Sequence, residues 1–469
     1  MEQRTSRWRM RPEERRLILL AGDFIAAWLG LALAMIAWGQ RDWLDLSRQL
    51  LLERIPSWFY FLPFAWLLLN VEMYDMKRAG RRDETLKGIL LSAGVGLALY
   101  LLVFFLAPPE SLPRVGVGVF VVASALFTLL WRNLYITIFT SPEFLRRVLI
   151  VGAGRAGSTL AKVVNELTPH PFEVVGFVDD DEEKKGSMVE NYPVLGGWDV
   201  LLKTIEEKHI TDVVLAISQD VRPELFQALL QVEEMGVEIV TMPTMYERLL
   251  GRVPIFLLQS DWILRSFVDQ AHASGLYELV KRLMDIVGGL IGSLVTLIVF
   301  PFIALAIVLD NGRPVLFTQN RLGLSGKQYT IIKFRTMRNN SENEGKARVT
   351  LENDERITRV GRFLRKSHLD ELPQFINVLR GEMSLIGPRA ERNELVEELQ
   401  TKVPFYRARL LVKPGITGWA QVNFGYAATV EDTGIKLEYD LYYIKHRNLA
   451  LDLLILLRTV GTVLGLKGQ

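Results

Sequence analysis

The sequence has no cysteine and only five histidines in 469 residues. The absence of cysteine excludes disulfides, thiolate catalysis, zinc–thiolate sites and iron–sulfur clusters together. Five scattered histidines make no histidine metal cluster. An excess of one charge is also missing: 55 Lys and Arg face 53 Asp and Glu, for a net charge of +2. A nucleic-acid partner is therefore not expected. Apolar residues are plentiful at 49%, beside 23% charged ones. That mixture describes membrane segments joined to soluble domains and excludes a disordered or fibrous chain. At roughly 150 residues per domain, the length suggests about three units.

Four apolar runs open the chain, near residues 17–38, 55–71, 88–107 and 115–131. Each approaches or reaches the roughly 20 residues that cross a bilayer core as a helix. The first is too long for a signal peptide and lacks a small-residue cleavage pattern. Basic residues set the orientation. Arg4, Arg7, Arg9, Arg11, Arg15 and Arg16 precede the first run, and Lys77, Arg78, Arg81, Arg82 and Lys87 lie between the second and third. The other two connections are poorer in Lys and Arg, so both ends of a four-helix unit over 1–140 are expected in the cytoplasm. Asp23 lies inside the first run, either as a functional group or as a carboxylate packed into the bundle.

From residue 147 the texture becomes βαβ. The short apolar run at 148–151 leads straight into Gly152-Ala153-Gly154-Arg155-Ala156-Gly157 and then a helical pattern. Further strand-like runs follow near 174–178, 213–217 and 237–240. The alternation predicts a parallel sheet, a Rossmann-like α/β domain over 145–250. Gly152, Gly154 and Gly157 suit a tight turn that lets a phosphate approach a helix N-terminus. Asp179 ends the next strand, where a ribose-binding acid would stand. Two readings stay open: a nucleotide or nucleotide-sugar site, or a structural or regulatory domain, since about 100 residues are too few for a dinucleotide and a catalytic half.

After a connector at 251–275, an uncharged run fills 286–309. As a straight helix it is about 36 Å long, enough to span. Yet both flanks are basic, with Lys281 and Arg282 before it and Arg313, Arg321, Lys327, Lys333 and Arg335 after it. A crossing segment shows one-sided bias. Pro301 lies inside, where it removes a backbone hydrogen bond, and Thr296 is placed to satisfy freed carbonyls. The expectation is a re-entrant membrane helix over 281–310 that breaks near Pro301 and returns; a kinked spanning helix is the alternative.

The remainder is charged and rich in motifs: Lys333-Phe334-Arg335-Thr336-Met337, Leu369-Asp370-Glu371-Leu372-Pro373-Gln374, the stretch Gly381–Arg389 (GEMSLIGPR) and the stretch Lys413–Asn423 (KPGITGWAQVN). The adjacent acids Asp370 and Glu371 sit among Arg365, Lys366, Arg389 and Lys413. Acids with several cations beside a membrane segment suit phosphate chemistry at a lipid surface. A carboxylate there holds Mg²⁺ on a diphosphate or attacks phosphorus itself, and the cations neutralise the diphosphate. The alternative is a helix-dipole complement or solvated surface.

These four motifs, in this order, resemble the bacterial polyprenyl-phosphate sugar-1-phosphate transferases, the monotopic phosphoglycosyl transferases that initiate exopolysaccharide and O-antigen synthesis. The resemblance covers about 276–469, and the order of four helices, α/β domain and catalytic domain is similar to the large members. It implies a mixed α/β catalytic domain over 276–469, anchored by the re-entrant helix. It implies Asp370 as a nucleophile on the β-phosphorus of a UDP-sugar, Glu371 as its partner, and Mg²⁺ held by Glu371 and Asp370. Lys333, Arg335, Arg365, Pro388, Arg389 and Lys413 then lie near phosphates or nucleotide, and Pro301 is the break of the anchor. Undecaprenyl phosphate is the implied acceptor, at the cytoplasmic face of the bacterial inner membrane, and a homodimer is the commonest assembly. The chain departs from the pattern at Pro388-Arg389-Ala390, where many relatives read Pro-Arg-Pro, and at Val422-Asn423-Phe424-Gly425, where they often read Val-Asn-Gly. Neither touches Asp370 or Glu371.

Two rivals belong to other classes. A membrane-bound nucleotide-sugar dehydratase or epimerase needs a Tyr-x-x-x-Lys pair. Tyr277–Lys281 leads into the membrane segment, and Tyr329–Lys333 lies beyond it. A non-catalytic scaffold with a sensing α/β domain would tolerate loss of Asp370. The C-terminal stretch 439–466 reads either as an interfacial amphipathic helix or as a core-packing helix.

Overall fold

The computed structural model describes residues 12–43, 45–74, 79–106, 113–139, 145–217, 222–257, 275–338, 356–425 and 429–464. Arg4, Arg7, Arg9, Arg11, Lys77, Arg78 and most of the expected connector lie outside the described residues. The chain forms two compact units, Met1–Met242 and Pro243–Gln469.

In the first unit, α1 (Pro12–Arg41), α3 (Arg82–Leu106) and α4 (Arg114–Phe139) are long and apolar enough to cross a membrane. The second apolar run departs from expectation. It forms a π turn at Leu50–Arg54, a 3-10 turn at Ser57–Phe61, the short helix α2 (Leu62–Leu69) and another 3-10 turn at Val71–Tyr74. Its apolar helical stretch Ser57–Leu69 reaches only about 20 Å at 1.5 Å per residue, against a core of roughly 30 Å. Pro56 lies in extended backbone before the first 3-10 turn, and Pro63 starts α2 without a donor to the preceding turn. The expected four spanning helices are thus three and a broken one. Asp23 is fully buried and paired with Arg132, Nη2 to Oδ2 at 2.6 Å, while Arg132 Nη1 donates to the Met73 carbonyl at 3.1 Å. The carboxylate has its counter-charge inside the bundle, which is the packing role.

The α/β portion contains β1 (Arg147–Val151), α5 (Arg155–Glu166), β2 (Glu173–Val178), β3 (Met188–Val189), β4 (Tyr192–Gly196), α6 (Leu201–Lys208), β5 (Asp212–Leu215), α7 (Pro223–Glu234) and β6 (Glu238–Thr241). The strand order is β3-β4-β2-β1-β5-β6, parallel except for β3. The unbroken apolar run Val148–Val151 is buried as the central strand, as a parallel sheet covered on both faces requires.

The boundary after this sheet falls earlier than expected. Helix α8 (Met242–Leu250) begins at it, and Val253 and Ile255 lie in the core of the second unit with Val396, Leu437, Leu441 and Ile455. Trp419 Nε1 donates to the Gly251 carbonyl at 2.7 Å. Residues 243–257 therefore pack with the motif-bearing unit rather than acting as sheet or linker.

The apolar segment is one helix, α9 (Gly275–Asn311), with Pro301 inside it. Helical structure continues on both sides of the proline, so the expected break does not end the helix. Thr296 Oγ1 lies 2.6 Å from the Gly292 carbonyl and 3.1 Å from that of Leu372. Those are not the carbonyl that Pro301 leaves without a donor, which belongs to Leu297 four residues earlier. There follow the hairpin β7 (Leu316–Leu322) and β8 (Gln328–Phe334), α10 (Arg359–Lys366), a 3-10 turn at Leu369–Gln374, and α11 (Phe375–Arg380). Next come β9 (Ser384–Ile386), α12 (Asn393–Leu399), β10 (Gly415–Thr417) parallel to β9, and α13 (Trp419–Asn423). The C-terminal stretch is two helices, α14 (Val430–His446) and α15 (Leu449–Leu464). Asp440, Tyr443 and Asp452 are buried, so this region has the core-packing role.

Candidate active site

The four motifs are spread over residues 333–423, and the fold brings three of them together. Lys333 stands near the end of β8, Asp370 and Glu371 on the 3-10 turn, and Arg389 just beyond β9. The turn itself is entered through His368, whose left-handed backbone (φ 57°) closes α10 and redirects the chain. The Glu371 amide then donates to the His368 carbonyl at 3.2 Å.

Asp370 and Glu371 are 8% and 9% exposed. Both cations converge on one oxygen of Glu371: Lys333 Nζ lies 2.8 Å from Oε1 and Arg389 Nη2 2.7 Å. Burial alone would raise the Glu371 carboxyl, but Arg389 and Lys333 outweigh it and hold it well below the usual range. Asp370 moves the other way. Burial, and then the negative charge of Glu371, push it up to about 6, against the partial offset of Lys333, Arg389 and Arg365. Among the described residues its carboxylate takes no hydrogen bond, and neither does Oε2 of Glu371. Neighbouring acids with opposed environments and opposed titration are the signature of distinct chemical roles.

Arg365 is in the last turn of α10, oriented by a 2.9 Å bond from Nε to Thr336 Oγ1. It acts on Asp370 through its charge. Two other residues expected near phosphate are placed differently. The Arg335 guanidinium is turned to the carbonyls of Asn311 and Gly312, closing the C-terminal end of α9. Lys413 Nζ and the Arg282 guanidinium flank Gly381 at the end of α11. Pro388 contributes backbone, its carbonyl accepting from the Gly415 amide at 2.9 Å. It lines a small cleft with Arg389, Leu322, Gly323, Val412 and Pro414.

Helix α9 supports the turn from below. Asp285 accepts from Ser384 Oγ at 2.9 Å and from the Leu385 amide at 2.8 Å. A Cβ on Gly292 would overlap the Phe375 ring, and one on Gly289 would come within 2.8 Å of Leu379. In the α/β portion, Asp179 Oδ2 accepts from the Ala153 amide at 2.6 Å, and Lys184 lies 3.3 Å away. Gly152 has φ 108°, and Gly154 caps α5. A Cβ on Gly157 would overlap the Gly152 carbonyl. The glycine turn and Asp179 thus meet, with the acid bonded back to its own loop.

The sequence reading missed a charge cluster behind Arg389, in which buried Arg409 and Asp440 meet the partly buried Arg321, Glu391 and Lys436. Burial would raise Glu391, but Lys436, Arg409 and Arg321 hold it down at about 2. The available signal was Arg409 standing within the largely apolar run Tyr406–Val412.

Comparison with known proteins decides the family. Residues 276–466 match the family model described as bacterial sugar transferase, and residues 69–243 match one described as a CoA-binding domain. The UDP-glucose:undecaprenyl-phosphate glucose-1-phosphate transferase of Escherichia coli (strain K12) is 33% identical over 328 residues, 67% of each chain. The chain belongs to the bacterial sugar transferases. The similarly named protein of Xanthomonas campestris pv. campestris is 31% identical over 69% of this chain and 67% of its own. A UDP-N-acetylgalactosamine-undecaprenyl-phosphate N-acetylgalactosaminephosphotransferase of Aeromonas hydrophila is 44% identical over 218 residues. That match spans 46% of this chain and half of the relative's length. The four motifs lie within the sugar transferase match, and the apolar helices make this a membrane member of the family.

Proposed function

We propose that the protein transfers a sugar-1-phosphate from a UDP-sugar to undecaprenyl phosphate, releasing UMP, as the first step of a cell-surface polysaccharide. The observation that carries the reading is the Asp370 carboxylate, free of hydrogen bonds among the described residues, beside a Glu371 that Lys333 and Arg389 hold ionised. An oxygen of Asp370 attacks the phosphorus that bears the sugar. The bond from that phosphorus to the UMP oxygen breaks, and UMP leaves with the electron pair. A phosphate oxygen of undecaprenyl phosphate then attacks the same phosphorus, forms the diphosphate and frees the Asp370 carboxylate. Lys333, Arg389 and Arg365 outnumber the two acids, so the site favours a diphosphate over water.

The donor set fits Mg²⁺, which commonly takes one or two carboxylates and completes its shell with water and substrate phosphate. Asp370 and Oε2 of Glu371 are hard oxygen donors that take no hydrogen bond among the described residues. No group of three or more potential ligands occurs among the described residues. Asp370 and Glu371 would hold the ion, which supplies charge neutralisation on the diphosphate.

The same reading places the catalytic unit on the cytoplasmic face of the inner membrane, with α9 dipping into one leaflet. Straight, 37 residues measure about 55 Å. Its buried positions Asp285, Gly289, Gly292, Thr296, Ile303 and Ile307 share one face, while Leu290, Leu294, Leu297, Phe302 and Leu305 are exposed. Both ends meet the motif-bearing unit: Arg282 donates to the Val378 and Leu379 carbonyls at 2.8 Å, and Asp310 accepts from the Val360 amide at 3.0 Å. A crossing helix cannot keep a polar domain along its whole length. Single cysteines introduced after Leu309 into this cysteine-free chain are expected to react only from the cytoplasmic side; labelling from outside contradicts the topology.

The reaction is tested by UMP release from a panel including UDP-glucose and UDP-N-acetylgalactosamine, with undecaprenyl phosphate and Mg²⁺. Release by the wild type and none by Asp370→Asn is expected. Equal release by both would remove Asp370 from the chemistry.

A further inference from the structure

Arg389 reaches Glu371 from a segment with little regular structure, and its own side chain is 40% exposed. Among the described residues its guanidinium has one hydrogen-bonding partner, Glu371. Something else must fix where it stands. The four consecutive carbonyls around it are all taken. That of Pro388 accepts from the Gly415 amide at 2.9 Å, and that of Arg389 from Arg409 Nη2 at 3.1 Å. That of Ala390 accepts from Arg321 Nη1 at 3.2 Å, and that of Glu391 from the Leu322 amide at 3.1 Å.

Arg409 is the residue on which this clamp turns. It is 4% exposed, and its fork also meets Asp440 at 2.9 Å, Glu391 at 3.3 Å and the Tyr406 hydroxyl at 2.8 Å. A planar guanidinium makes these bonds in fixed directions, which a single ammonium cannot reproduce. We propose that Arg409, with Arg321 beside it, is a positioning residue: it holds the Pro388–Glu391 backbone so that Arg389 presents its guanidinium to Glu371 and to the donor phosphates. The role rests on the reading of Arg389 as part of the active site. Nothing in the four recognisable motifs marks either arginine, because both act through main-chain carbonyls.

The test uses the full-length protein and the variant Arg409→Lys, which keeps a positive charge against Asp440 and Glu391. Alone it is expected to lower kcat/KM for UMP release by roughly tenfold to a hundredfold. In an Arg389→Ala background it is expected to cost less than about twofold, since residues acting as one unit are not additive. A residue that merely stabilises the fold gives the same loss in both backgrounds, and that result, or no loss in either, overturns the proposal. Hydrogen exchange at the Leu322 and Gly415 amides, which bond the same segment, reads the clamp without any turnover. Faster exchange there in Arg409→Lys supports it, and unchanged exchange refutes it even if the wild type releases no UMP. If Arg409→Lys does not fold, Arg321→Lys takes the same two measurements with the same deciding outcomes.

Discussion

Gly361 offers a sharp trial because two physical effects disagree about its sign. It lies in the first turn of α10, where its amide donates to the Thr358 side chain at 2.9 Å. Propensity alone says that Gly361→Ala stabilises, by roughly 0.5–1 kcal/mol, since alanine loses less backbone entropy. Packing says the opposite. A Cβ there would overlap the Thr336 carbonyl oxygen and stand 2.8 Å from its carbon and Cα. These are main-chain atoms, so no side-chain rotation relieves them. Either α10 or the end of β8 must move, at a cost of about 1–3 kcal/mol for overpacking. Thr336 also orients Arg365 and accepts from the Thr358 amide at 3.0 Å, three residues after Lys333. The expected outcome is a net destabilisation of about 1 kcal/mol or more, lowering Tm by about 2–4 °C or more. UMP release should fall by up to about a hundredfold, because a 1 Å displacement of positioning groups is enough for that. Thermal unfolding of the solubilised protein and a UMP assay read both. A more stable variant with wild-type turnover would refute the reasoning.

Further predictions concern single contacts. Lys333→Met removes one of the two cations on Glu371 Oε1. With Arg389 still in place the loss is about 1.5–3 kcal/mol of charge-assisted bonding, or about tenfold to a hundredfold in kcat/KM; an unchanged kcat/KM excludes Lys333 from the site. Glu438 accepts from the Tyr246 hydroxyl at 3.2 Å and lies 3.3 Å from Arg252, yet burial outweighs both and raises its carboxyl to about 7. Its folded-state value lies above its unfolded one, so its stabilising contribution is complete below pH 4.5 and fades as pH rises through 7. Tm is therefore expected to fall between pH 5 and 8, by an amount worth about 3 kcal/mol at most, and less in Glu438→Gln; parallel curves for the two proteins contradict it.

Much of the grouping in this candidate site was legible in the sequence because its side chains stand in short contiguous motifs. Asp370 and Glu371 are adjacent, and the tertiary structure only had to bring Lys333 and Arg389 to them. The glycine turn was equally readable, since a parallel βαβ unit requires Gly152 and Gly157 where they stand. What escaped were contacts between distant backbone and side-chain atoms. Arg335 reads as a phosphate ligand by its motif, but the C-terminal carbonyls of α9 compete for it. The second apolar run had the composition of a spanning helix, and hydropathy ignores what Pro56 and Pro63 do to hydrogen bonding. The end of the α/β domain was misplaced because α8 is amphipathic on any reading, and only its partners reveal which core it joins. Arg409 left only one faint signal, a charge inside a largely apolar run, because an arginine bonded to main-chain carbonyls forms no motif.

The central claim is the covalent step at Asp370, and it is read most directly by omitting the acceptor. Wild-type protein with a productive UDP-sugar and Mg²⁺, without undecaprenyl phosphate, should release about one UMP per chain. The peptide containing Asp370 should gain the mass of one phosphosugar, and Asp370→Asn should show neither change. UMP that forms only when the lipid is added, with no adduct on that peptide, would contradict the account and assign the attack to the lipid phosphate itself.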